Sequence, residues 1–180
     1  YDEIALAGDH ACGRIGGSVQ CWGVDGAGQL GDGSTTEKLF PVQVSGITTA
    51  TAIAVADGYS CALLTDGSIK CWGSNAYGNL GDGTTTNRTV PVTVNGITTA
   101  IAVDATAGHA CAILFSGTIQ CWGANYSAQL GDSFTTTNRL TPVSVLGITA
   151  AKAVAVSTVS GLSPPGTVAG DTCAIVSGGV

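Results

Sequence analysis

Residues 60–73, SCALLTDGSIKCWG, carry two short apolar segments on either side of Thr65-Asp66-Gly67. A three-residue loop ending in a glycine suited to the left-handed conformation is a hairpin connection. It closes Leu64 on Ser68, and pairing outward from there sets Cys61 directly opposite Cys71. Fifty residues downstream Phe115-Ser116-Gly117 closes Leu114 on Thr118 and sets Cys111 opposite Cys121. Upstream the hairpin is one residue shorter, yet a two-residue Gly16-Gly17 turn closes Ile15 on Ser18 and again sets Cys12 opposite Cys21. Directly opposed residues have Cα atoms about 4.5–5.5 Å apart, a separation that a disulfide spans. Zinc is the competing chemistry for paired Cys, but its ligands usually lie about two to four residues apart and four must converge. Disulfides imply an oxidising compartment, so the chain is read as extracellular or cell-surface.

Working outward, CWG recurs at Cys21, Cys71 and Cys121, a period of 50 residues in a chain of 180. Three full units follow, residues 1–50, 51–100 and 101–151, and residues 152–180 read as the first half of a fourth. Each unit holds four short strand-like segments separated by Gly, Asn, Asp and Thr, with no helical periodicity between them. The fold class is therefore all-β: propeller-type blades of four antiparallel strands, in about three and a half repeats that form one domain, part of a larger propeller.

Gly-His or Gly-Tyr shortly before a Cys, then a turn, CWG, and the runs NAYGNLGDG and TTTNRTVPV of the second unit form a pattern that covers nearly the whole chain. It resembles the regulator of chromosome condensation repeat, in the disulfide-containing form found in secreted bacterial proteins. The resemblance implies a β-propeller, usually of seven blades. The founding member of that family is a nuclear nucleotide-exchange factor, an activity that the acidity and paired Cys of this chain give no reason to carry over.

The seventh Cys, Cys173, occupies the slot of Cys12, Cys61 and Cys111, and its hairpin partner is expected three residues past Val180; it is read as unpaired within this chain. With no initiator Met and no basic start followed by an apolar run, the chain reads as processed or partial. The fourth unit is twelve residues longer than the others, and the excess falls in STVSGLSPPGTVAG, residues 157–170. Ser160, Leu162, Pro164 and Pro165 make this inserted loop the expected partner-binding segment, since binding tends to live on loops carried by a rigid scaffold.

Only 18 residues are charged, 12 acidic and 6 basic, for a net charge of −6. Scattered Lys and Arg argue against nucleic acid. No apolar stretch approaches the roughly 20 residues of a membrane span. Trp22, Trp72 and Trp122 follow the second Cys of each pair and are expected to pack one unit on the next. His10, Tyr59 and His109 share one slot, where a side chain bonding the backbone of the neighbouring blade is expected. Asp32, Asp82 and Asp132 sit in LGD turns as acceptors for local N–H groups; calcium is the sharper alternative, although no unit has the D-x-D-x-D-G spacing. Asn87-Arg88-Thr89 and Asn125-Tyr126-Ser127 are N-glycosylation triplets. No catalytic constellation is found, and no cofactor or resident metal is expected. Two functions remain: a non-catalytic extracellular interaction module for a protein or glycan, or a structural subunit of a surface layer or filament whose open blade edges pair with further copies of itself.

Overall fold

The computed structural model describes residues 1–133, 136–158 and 170–176. Its first sheet holds β1 (Glu3–Ala7), β2 (His10–Ile15), β3 (Ser18–Gly23) and β4 (Lys38–Gln43). The second holds β5 (Ala50–Ala56), β6 (Tyr59–Leu64), β7 (Ile69–Gly73) and β8 (Arg88–Thr93), and the third β9 (Ala100–Ala105), β10 (His109–Leu114), β11 (Ile119–Gly123) and β12 (Arg139–Ser144). Each is an antiparallel meander in chain order, and β13 (Ala151–Thr158) with β14 (Gly170–Val176) forms a fourth, two-stranded sheet. These sheets are blades of a propeller.

Turn chemistry sets the register. Gly16 and Gly17 both have positive φ, 54° and 86°, as a two-residue hairpin turn of the primed type requires. Gly67 and Gly117, at 77° and 81°, close the three-residue loops, where Leu64 N–H donates to Ser68 O and Leu114 N–H to Thr118 O. Cys12 faces Cys21, Cys61 faces Cys71 and Cys111 faces Cys121, and all three pairs are disulfide-bonded across a Cα separation of 4.1 Å. The glycine of CWG also has a physical cause: Gly73 has φ 107°, and a Cβ there would lie 2.5 Å from Gly58 O.

The innermost strands β1, β5, β9 and β13 pack side by side. They read IALA, AIAVA, AIAVDA and AKAVAV, small side chains that let four strands converge toward one axis. Alternation along the third strand sends Cys to the forward face of a blade and Trp to the backward face. The core therefore lies in the seams between blades. In the first seam Cys12, Cys21, Val19, Leu30 and Ile47 pack against Ile53, Ala62, Leu64 and Trp72. In the second, Cys61, Cys71, Ile69 and Leu80 pack against Ala110, Ala112 and Trp122. Burying one Trp removes about 200 Å² of surface, roughly 5 kcal/mol before entropy is charged.

The fourth sheet corrects one boundary. Thr158 pairs with Gly170 and Ser157 with Asp171, so both ends of the expected loop 157–170 continue the ladder, as Ser-Thr-Val segments are able to do. Ser160, Leu162, Pro164 and Pro165 lie outside the described residues. The backbone of Cys173 pairs with Ala155, as Cys61 does with Ala54, while the state expected for its thiol lies outside what is described.

Candidate functional site

The long connection between the third and fourth strands of a blade is tied into a knot around one buried amide. In the second blade Asn75 follows CWGS, and its side chain is wholly buried. Its Oδ1 accepts from Leu80 N–H at 2.9 Å, while Nδ2 donates to Thr84 O at 3.0 Å, Thr86 O at 3.1 Å and Asp82 Oδ1 at 3.2 Å. Asp82 Oδ1 also accepts from Thr84 N–H, and Oδ2 takes Arg88 Nη2 at 2.7 Å. Burial alone would raise the Asp82 carboxyl, but Thr84, Arg88 and Asn75 together hold it below the ordinary 3.8. The third blade repeats the knot with Asn125, Leu130, Asp132 and Arg139. In the first, Asp25 stands for Asn and Lys38 for Arg: Leu30 N–H and Ser34 Oγ donate to Asp25, and Lys38 Nζ lies 3.2 Å from Asp32.

These contacts decide several expectations. Asp32 and Asp82 accept from local N–H groups as expected and Asp132 accepts from the Asn125 amide, and the outer oxygens of all three are taken by Lys38, Arg88 and Arg139, a cation already supplied by the chain. Among the described residues no group of three or more His, Cys, Asp and Glu is placed to hold a metal. The triplet at Asn125 is not presented for glycosylation, because Asn125 is buried in its knot, whereas Asn87 is exposed.

Polar bonds stitch the seams. Trp72 Nε1–H donates to Gln29 O at 2.9 Å and Trp122 Nε1–H to Asn79 O at 3.0 Å, each reaching the knot loop of the preceding blade. Among the described residues Trp22 meets no such loop; it is half-buried against Tyr1, ring centroids 6.0 Å apart. Tyr59 OH donates to His109 O at 2.8 Å, the expected bond to a neighbouring backbone. His10 departs from it: Nε2 meets the Ser60 hydroxyl at 2.8 Å, because the second blade offers a hydroxyl where Ala11 and Ala110 occupy the same slot.

At one end of the blades, Gly8, Asp57, Thr106 and Val156 help line an open pocket of about 480 Å³ between the ends of the innermost strands. β13 ends and β14 begins at this end, as the strands flanking Gly8, Asp57 and Thr106 do. At the opposite end Phe115, 83% exposed, stands with Ile101 between two grooves of about 450 and 300 Å³. Sequence reasoning passes over Phe115 as a hairpin residue; the available signal is its contrast with Gly16 and Thr65 in the same position.

The family model for the regulator of chromosome condensation (RCC1) repeat matches residues 16–63 and 66–113, more than half of the chain. The chain belongs to the RCC1 repeat family. A second RCC1 repeat model matches residues 50–79 and 100–129. Each of the longer matches starts at a β2–β3-type hairpin tip and ends in the next sheet, so the RCC1 unit spans a seam. Among solved structures, human WBSCR16 superposes with a TM-score of 0.70 at 21% identity over 79% of this chain and 37% of that one. Yeast RCC1 (Prp20), solved with Kap60 bound, gives 0.69 at 19% identity over 79% and 36%. The ectodomain of the Physcomitrella patens receptor kinase CR4 gives 0.52 at 16% identity over 96% and 38%. The RCC1-repeat chain thus spans little more than a third of the length of each. Compared by sequence with curated proteins, it matches none.

Proposed function

We propose that this chain is a non-catalytic, extracellular protein-interaction module whose partner is engaged at the end of the blades where this pocket lies. The departure from repetition carries the reading. Three blades repeat a seam, a Cys-bearing hairpin and a disulfide, while the segment after β13 breaks the 50-residue period at the end where the pocket lies. A rigid scaffold with one lengthened loop is a common way to build binding specificity. Three fully buried disulfides support an oxidising location, and the CR4 neighbour shows this fold in an ectodomain. Protein partners are supported by yeast Prp20, solved with Kap60 and studied for binding to Gsp1p and histones. Arg14, Lys38, Arg88 and Arg139, four of the six basic residues, are committed to ion pairs, which argues against a phosphate backbone.

The test replaces residues 159–169 with a two-residue Asp-Gly turn that copies Asp57-Gly58. Photo-crosslinking from position 57, in the natural extracellular fraction, should give one discrete protein adduct that the shortened variant loses and Phe115→Ser retains. An unchanged adduct in the shortened variant overturns the reading. A second reading, a subunit of a self-paired array, is favoured by the backward face of the first blade, where Ile4 and Leu6 (75% exposed) flank Trp22. A monodisperse monomer by light scattering refutes it.

A further inference from the structure

The first knot is built from the same backbone as the other two but with the wrong chemistry at its centre. Asn75 Nδ2 supplies the hydrogens that Thr84 O, Thr86 O and Asp82 Oδ1 accept. Asp25 occupies that position in the first blade and is 1% exposed; it accepts from Leu30 N–H and Ser34 Oγ, but when ionised it has no hydrogen to return to the loop as Asn75 Nδ2 does. Two such bonds only partly offset the cost of burying a carboxylate, whereas the neutral acid avoids that cost and gains one O–H to donate. We propose that Asp25 is a proton-operated latch: protonated, it closes the β3–β4 loop as Asn75 closes its own, and ionised, it loosens the seam between the first and second blades.

The loop that Asp25 ties down is the one that makes the seam. Gln29 O accepts from Trp72 Nε1–H and Ser60 Oγ, Leu30 packs in the first seam core, and Gly33 N–H donates to Thr89 O across it. The charged groups around Asp25 pull in opposite directions. Burial favours its neutral form most; the bonds from Leu30 N–H and Ser34 oppose that, Asp32 adds to it and Lys38 of β4 opposes it, with a net rise above the ordinary 3.8. Arg88, whose backbone lies across the seam from Gly28, has its guanidinium committed to Asp82.

A carboxyl whose folded pKa is raised contributes full stability below the unfolded value and loses it as pH rises through the folded value. The difference between wild type and Asp25→Asn isolates that contribution, because His10 and every other titrating group is common to both. Amide exchange at Leu30 and Gly33 should slow in Asp25→Asn at neutral pH by about tenfold for each unit by which the carboxyl is raised, with the two proteins converging near pH 3. The reciprocal Asn75→Asp should import the same pH dependence at Leu80 and Gly83 in the second seam, keeping the test decisive if either variant is poorly behaved. Identical exchange in wild type and Asp25→Asn from acid to neutral pH overturns the proposal. So does calcium chloride that protects Leu30 at neutral pH in wild type but not in Asp25→Asn, which would put a cation rather than a proton at this position.

Discussion

Replacing Trp72 with Phe tests whether the seams hold this propeller together. The substitution removes the indole N–H bond to Gln29 O, worth about 0.5–1.5 kcal/mol; the loss is bounded because Ser60 Oγ also donates to that carbonyl. It also empties about 40 Å³ in a wholly buried site, roughly 1 kcal/mol at about 24 cal/mol per Å³. Together these come to about 2 kcal/mol. Trp22→Phe is the internal control, the same residue in the same repeat position but only half-buried. Among the described residues its indole makes no hydrogen bond and its ring partner is Tyr1, so about 0.5 kcal/mol or less is expected. In urea, with a slope of about 2 kcal/mol/M, the midpoints should drop by about 1 M for Trp72→Phe and by about 0.25 M for Trp22→Phe. Acrylamide should quench Trp22 readily and Trp72 and Trp122 poorly. Equal midpoint shifts for the two variants would refute the assignment of the core to the seams.

Peptide mapping of protein alkylated in denaturant without reductant should find Cys12, Cys21, Cys61, Cys71, Cys111 and Cys121 unmodified, and reduction should cost about 2.5–3 kcal/mol for each bridge of nine or ten residues; free thiols at those six would refute the pairing. Arg88→Ala should cost about 1 kcal/mol, discounted because the Arg88 side chain is 35% exposed. Because the Asp82 carboxyl is held below 3.8, its contribution is full above that value and lost as pH falls through the depressed one. The acid-unfolding midpoint of Arg88→Ala should accordingly move to higher pH, read by circular dichroism. Burial pushes His10 below its ordinary 6.5, against the pull of Asp9 and Asp57, so its contribution is present above 6.5 and lost as pH falls below it. His10→Gln should flatten the thermal midpoint between about pH 5 and about pH 7 relative to wild type; an unchanged slope would remove His10 as its source.

Blade architecture is legible in the sequence because the hairpin turns are short and chemically specific. Gly16-Gly17, Asp66-Gly67 and Ser116-Gly117 each permit one closure, and alternation then assigns Cys and Trp to opposite faces without further information. The knots are not legible. Asn75 meets Asp82, Thr84 and Thr86 from seven to eleven residues away through a loop with no period, and its partners are carbonyls whose direction only the folded chain defines. One trace of them does lie in the repeats: Asp25 and Lys38 depart together from the Asn and Arg of the second and third units. The partner of His10 escapes the sequence because Ser60 is peculiar to one blade, and a rule drawn from a repeat misses what a single unit adds. The insertion reads too wide because Ser, Thr and Gly suggest loop while the ladder needs only backbone groups to continue.

Of all the pairings that six cysteines allow, this chain uses the one in which each joins its nearest neighbour, nine or ten residues away. Among the described residues no bridge encloses another, and none joins two blades. A polypeptide that emerges from a membrane pore from its N-terminus onward can therefore oxidise each pair before the next has appeared, with no wrong partner nearby and no need for reshuffling. Among the described residues the side-chain links between blades are all noncovalent, so covalent closure of a unit and its stacking on its neighbours are separate events, and an export route can complete the first without waiting for the second.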